Sequence, residues 1–379
     1  MDVCHAELTN TRRLYLQQAP LEVVIASLPT NWTTLDGQSK LVNELTCEHQ
    51  PDVPYQRRVF KHLLSILETN VDVVSEEEEE MQQQQQHEEL IARLARTYIT
   101  SNGDSIADSS QWSHRIYELP SSSGCKTTLT MRVRSVIGGG FETGGRVWDS
   151  ALMLGAWIMS NTTSSCNRSM WEGRDVIELG CGTGIVGCIL ALHAKLASLS
   201  FTDCEAKVLV NMRHNVEINL PRDMWKNVYV GALDWCRPKD SPWLGGSDYD
   251  VNVPLVLDED KGSASTRSLP PPPDTIIASD VVYDPTVVSS LVDTIVTLLN
   301  VPAAQVDGES RRRQRVAYVA AEERNPTTWT VFNNEVQNRN LIIVDRSNEA
   351  RAALQVQNTF WVSNETQDRV HVLELKLPS

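Results

Sequence analysis

The sequence has no apolar run approaching the roughly 18 residues that a membrane-spanning helix needs. Its first residues, Met1-Asp2-Val3-Cys4-His5-Ala6-Glu7, have no basic region followed by an apolar one, so no secretory leader is expected. Its eight cysteines form no C-x-x-C pair and no cluster with zinc spacing. Neither a metal site nor a disulfide framework is expected, and reduced thiols fit a cytoplasmic protein. Basic residues are in the minority, 34 against 49 acidic ones, for a net charge of −15. The one dense basic run, Arg311-Arg312-Arg313-Gln314-Arg315, reads as a solvated loop end before a strand. That balance argues against direct nucleic-acid binding, which usually shows a basic face. It favours a protein partner with a basic surface. Apolar residues make up 41% of the chain, a little below the usual globular share, which leaves room for unstructured sequence.

What is present falls into three parts. The length of 379 residues suits two or three domains. Residues 1–100 read as helical. Leu14, Leu16, Leu21, Val24, Ile25 and Leu28 keep a loose helical period, and Val59, Leu63, Ile66 and Leu67 fall on one face of a better amphipathic helix. This region is either a small helical cap or a substrate-recognition module. Residues 75–88 form a Glu/Gln low-complexity tract, where like charges repel, and no chemistry is assigned to it. Residues 101–124 read as a polar linker, and residues 125–379 as an α/β domain.

The α/β domain is organised around one stretch. Val176-Ile177-Glu178-Leu179 reads as the end of a buried strand, Gly180-Cys181-Gly182-Thr183-Gly184 as a glycine turn, and the apolar run from Ile185 as a helix packing back. Such turns open sheets whose ligands bind beyond the carboxyl ends of the strands. Glycine lets a ligand lie directly on the main chain. The spacing is neither the dinucleotide G-x-G-x-x-G nor a P-loop with its Lys, so pyrophosphate has no obvious clamp. Cys181 lies in the turn with no base beside it and reads as a small filler.

Further strands follow in regular alternation. Asp203 ends the second, where a carboxylate can accept ribose hydroxyls or cap the next helix. After the third come Leu233-Asp234-Trp235, with an aromatic or carboxylate placed to flank a base. Residues 237–273 break the pattern with Pro, Gly, Asp and Ser and read as an insertion loop. Thr275-Ile276-Ile277-Ala278-Ser279 ends in Asp280, with Tyr283 three residues on. Upstream, Trp148 and Asp149 precede a helix, the first as a core anchor or site residue, the second as a helix cap candidate. A fifth strand ends near Glu322, and residues 341–345 and 370–375 can close the sheet as an antiparallel pair.

The set E-L-G-C-G-T-G, Asp203, Leu233-Asp234-Trp235 and Asp280-Val281-Val282-Tyr283, preceded by Arg146-Val147-Trp148-Asp149-Ser150-Ala151, resembles family 16 of the class I, seven-strand S-adenosylmethionine-dependent protein methyltransferases. The resemblance covers residues 125–379 and implies a Rossmann-like seven-strand sheet with helices on both faces. It implies S-adenosylmethionine as cofactor, with Trp148, Glu178, Gly180, Gly182, Gly184, Asp203, Trp235, Ala278 and Ser279 around it. Glu178 would face the cofactor's cationic amino-acid end. It implies that Asp280 and Tyr283 carry the catalysis at a lysine channel. Within the family the likeness is to methyltransferases of a lysine of translation elongation factor 2. It is carried by Val53-Pro54-Tyr55-Gln56-Arg57-Arg58-Val59-Phe60, by Thr143-Gly144 with Trp148-Asp149, and by Arg324-Asn325-Pro326-Thr327-Thr328. Elongation factor 2 is thus the expected partner, of a monomeric enzyme. Another protein lysine as target, and a non-catalytic binding protein that keeps the fold, stay open.

Overall fold

The computed structural model describes residues 3–46, 50–69, 88, 90–97, 112–120, 126–134, 143–162, 169–244, 270–301 and 314–378. Residues 75–87 of the Glu/Gln tract, 101–111 and 121–124 of the linker, 245–269 of the insertion and 311–313 of the arginine run lie outside these residues; Trp112–Leu119, expected as linker, is a strand. The chain forms two compact units: residues 1–119 with 128–136, and residues 120–127 with 137–379.

The first unit is mostly helical. It holds α1 (Val3–Leu16), α2 (Leu21–Ala26), α3 (Leu35–Glu44), α4 (Val53–Thr69) and α5 (residues 90–97), then β1 (Trp112–Leu119) and β2 (Thr127–Arg134). Helix α4 buries Tyr55, Val59, Phe60, Leu63, Leu64 and Leu67. The i, i+3, i+4 spacing makes one apolar stripe, but Leu64 is buried where Ile66 is only half-buried. The Tyr55 hydroxyl donates to the Ala19 carbonyl at 2.8 Å, which ties α4 to the turn between α1 and α2. Strands β1 and β2 make a two-stranded sheet of their own. Sequence reading assigns β2 to the α/β domain; its partner is β1, so most of it belongs to the first unit.

The second unit is a seven-stranded sheet in the order β5-β4-β3-β6-β7-β9-β8. Its strands are β3 (Asp175–Leu179), β4 (Ser198–Asp203), β5 (Val228–Ala232), β6 (Thr275–Ser279), β7 (Val316–Glu322), β8 (Ile342–Asp345) and β9 (Val370–Lys376). The five from β5 to β7 run parallel, while β9 is antiparallel to both β7 and β8. Parallel strands covered on both faces need near-continuous apolar sequence, and every residue of β7 is buried. The intervening helices are α6 (Asp149–Ser160), α7 (Ile185–His193), α8 (Ala206–Asn219), α9 (Pro285–Asn300), α10 (Pro326–Asn338), α11 (Ser347–Gln357) and α12 (Asn364–Arg369). The core includes Ile177, Ile276, Val288, Leu291, Phe332 and Leu375. A second aromatic cluster brings Tyr318 of β7 within 4.9 Å of Trp157 and 5.2 Å of Trp171, ring centre to ring centre.

This order sets the site. From β3 the chain steps outward to β4 and β5, then crosses to β6 on the other side of β3. The connections leave opposite ways at the β3–β6 junction and open a crevice beyond the strand ends.

Candidate active site

The glycine turn forms the floor of that crevice. Gly180, Gly182 and Gly184 all have left-handed backbone, with φ of 60°, 52° and 77°. At Gly184, the residue before α7, a Cβ would also fall 2.8 Å from Cγ of Met212, so φ and space both demand glycine. The Cys181 amide donates to the Thr202 carbonyl of β4 at 2.9 Å, and the Gly184 amide to the Cys181 carbonyl at 2.7 Å.

Asp203 at the tip of β4 completes this wall. One carboxylate oxygen accepts the Gly182 amide at 3.1 Å and the other the Glu205 amide at 3.2 Å. Glu205, not Asp203, precedes α8 as its capping position. Burial pushes the Asp203 carboxyl above its ordinary value, against these amide hydrogen bonds.

A cavity of about 260 Å³ opens over the turn. Of the residues picked out from sequence, Trp148, Gly180, Gly182, Asp203, Trp235, Ser279, Asp280 and Tyr283 line it. Glu178, Gly184 and Ala278 do not. Glu178 is 1% exposed. Its Oε2 accepts the Gly187 amide of α7 at 3.0 Å, beneath the turn rather than in the cavity. Burial raises its carboxyl to about 8. Ala278 is buried within β6, paired with Leu179 and Val319. Gly184 lies behind the floor, against Met212 and Phe201. Burial lifts the Cys181 thiol well above its usual value, which leaves no thiolate for attack.

The opposite wall comes from the tips of β6 and β7. Asp280 has φ of 56°, and its amide donates to the Ala320 carbonyl of β7 at 2.8 Å. Both its carboxylate oxygens accept from Nη1 of Arg324 at 3.0 Å. Burial pushes this carboxyl up, and the Arg324 guanidinium pulls the other way. Tyr283 stands at the rim, 51% exposed. Partial burial raises its phenol, opposed by a hydrogen bond with Thr143. The Trp148 indole donates to the Thr143 carbonyl at 3.1 Å, and its ring lies 4.8 Å from the Arg324 guanidinium. Trp148 is thus the last residue before α6 and lines the cavity, while Asp149 is the first helical residue instead of its cap.

Arg324 is the cationic lining residue at the Asp280 wall, and sequence reading leaves it without a role. It is visible there only as part of R-N-P. The available signal was topological, since pairing of β6 with β7 brings the residues after each strand together. The walls offer a main-chain floor, a carboxylate for vicinal hydroxyls, an aromatic flank at Trp235 and a second carboxylate with a phenol at the mouth. That suits a nucleoside-bearing ligand inside and an amine at the rim. Among the described residues no group of three or more His, Cys, Asp or Glu is placed to hold a metal ion. No helix among them is long and apolar enough to cross a membrane.

Residues 129–260 match a family model described as lysine methyltransferase. Human protein-lysine N-methyltransferase EEF2KMT is 30% identical over 300 residues, 78% of this chain and 74% of that protein. An uncharacterised Dictyostelium discoideum protein is 29% identical over 202 residues; the match takes in 52% of this chain and only 50% of that protein's length. Magnesium protoporphyrin IX methyltransferase from Synechocystis PCC 6803, solved with bound SAM, superposes with a TM-score of 0.34 at 13% identity, over 60% of this chain and 78% of that one.

Proposed function

We propose a function from one premise: the chain belongs to the lysine methyltransferase family. It transfers methyl groups from S-adenosylmethionine to a lysine of another protein, and that protein is translation elongation factor 2. The observation that carries the reading is the pairing, across one cavity, of the Gly180–Asp203 wall with Asp280 and Tyr283. For the substrate, support comes from the likeness around residues 53–60 and 324–328 and from a match to human EEF2KMT that reaches 78% of this chain. The enzyme acts in the cytoplasm as a monomer.

The cradle fits the cofactor. A Cβ at Gly180 would meet Val281 at 2.9 Å and Trp235 at 3.1 Å, so only glycine keeps this wall open beside the Trp235 ring. Asp203 keeps free lone pairs beyond its two amide bonds and would take the ribose hydroxyls. Trp235 would flank the adenine. When bound, S-adenosylmethionine supplies a methyl group on a sulfonium sulfur. That methyl would pass to the neutral lysine nitrogen at the Asp280 and Tyr283 end of the cavity, with the S–C bonding pair left on the departing sulfide.

This chain's residues prepare the amine. A free lysine has a pKa near 10.4 and must lose its proton to attack. Desolvation and neighbouring positive charge both disfavour the ammonium. Asp280 orients the nitrogen and receives its proton or passes it to water. Tyr283 walls the channel, where a ring face can hold an alkylated ammonium. Alignment of the two centres supplies the rest of the barrier reduction. The test is incubation with radiolabelled S-adenosylmethionine and a methylation-depleted eukaryotic lysate. A labelled band at the size of elongation factor 2, absent with Asp280→Asn, is expected. A single band elsewhere discards the substrate, and full labelling by Asp280→Asn discards the site.

A further inference from the structure

We propose that Arg324 is a positioning residue for methyl transfer: it locks the Asp280 carboxylate against the substrate position by tying it to Trp148 and Glu322. The inference rests on the lysine methyltransferase reading of the site. Arg324 makes three contacts at once. Nη1 reaches both oxygens of Asp280 at 3.0 Å, Nη2 reaches Oε2 of Glu322 at 2.8 Å, and the guanidinium covers the Trp148 ring at 4.8 Å. The two carboxylate side chains are 7% and 8% exposed, whereas Arg324 is 37% exposed and lines the cavity. A cation reachable from the cavity therefore holds two buried acids in place.

The clamp is itself held. The Arg324 amide donates to the Glu322 carbonyl at 2.9 Å. Its neighbour Asn325 accepts the Thr327 amide at 2.9 Å and so caps α10. Glu322 is anchored from its other side by Nη2 of Arg369 at 2.8 Å. A planar guanidinium can fork between acids and stack on a ring together, which a lysine ammonium cannot. The charged groups that face Asp280 are Arg324, which favours its ionised form, and Glu322, which opposes it; Ser150 of α6 is the polar neighbour. Without Arg324, Asp280 would face the Glu322 carboxylate with no cation of its own, while Glu322 would keep Arg369. Asp280 would then hold its proton to higher pH and lose its aim.

The experiment measures kcat, KM and their pH dependence for Arg324→Ala, Arg324→Lys and Arg324→Gln. The acceptor is the protein labelled in the assay above, and calorimetry reports S-adenosylmethionine binding. Arg324→Ala is expected to lower kcat on the order of 100-fold, to move the acid limb of the profile to higher pH, and to leave cofactor affinity unchanged. Arg324→Lys, which restores charge without the fork, is expected to recover part of the rate and return the limb toward the wild type. Arg324→Gln keeps the limb displaced if Arg324→Ala fails to fold. A folded Arg324→Ala or Arg324→Gln with the wild-type acid limb overturns the proposal, whatever its kcat, because a merely structural clamp would leave that limb in place. Wild type active, Asp280→Asn dead and the limb unmoved defeats this inference alone. Full activity in Asp280→Asn defeats the reading beneath it as well.

Discussion

Glu178 shows what burial does to a carboxylate held beneath the glycine turn. Its carboxyl is enclosed by Gly187 and the turn, and a Cβ at Gly187 would fall 2.6 Å from it. Burial outweighs the Gly187 amide hydrogen bond, the Asp203 carboxylate adds to it, and the folded value is about 8 against an ordinary 4.5. At neutral pH the folded chain therefore holds a proton that the unfolded chain releases. The stabilisation is complete below 4.5 and is lost as pH rises through about 8. Within that window each pH unit costs at most about 1.4 kcal/mol. Thermal melts of the ligand-free protein between pH 5 and 8.5 should show falling stability, and Glu178→Gln should flatten the slope. An equal slope in that variant would assign the linkage elsewhere.

At the scale of elements, α10 shows how a helix end presents a site residue. Asn325 caps it and Pro326 opens it, where the missing amide is no loss. Asn325→Ala should cost about 1 kcal/mol of stability and lower activity more than stability, since Arg324 is the preceding residue. Denaturant melts beside initial rates would separate the two effects. The elements themselves were largely legible. Parallel strands announce themselves as short apolar runs ending in Gly, Asp or Ser, and β3, β4, β5 and β6 fall where the residues suggest. Strand β2 was equally visible, but alternation in Thr127–Arg134 says nothing of its partner, and that partner proved to be β1. The site followed the same rule. Asp203 and Asp280 were readable as residues at the cavity because each follows or ends its own strand. The bond from Arg324 to Asp280 was not, because it spans 44 residues and exists only through the β6–β7 pairing. The burial of the Glu178 carboxylate against the Gly187 amide was not legible either, for a related cause. Sequence gives a strand's period, while which face meets the cavity depends on the helix laid over it.

For the whole molecule the main datum is charge. The chain carries −15, and the cavity is lined by Asp203, Glu205, Asp234 and Asp280 against Arg146 and Arg324. Such a field speeds encounter with a basic protein surface and is screened by salt. With substrate well below KM, initial rates should fall as ionic strength rises from about 0.01 to 0.15 M, while rates at saturating substrate change little. Rates equal at both salt levels would remove charge steering. A different consequence follows from the left-handed backbone of Asp280. Outside glycine, that conformation is tolerated best by asparagine and aspartate. Among the residues that adopt it, aspartate is the one that carries a carboxylate. Any lineage released from the need for catalysis would therefore drift at this position toward asparagine or glycine. Survey of related genomes for those two letters would sort working enzymes from retired copies before any protein is made.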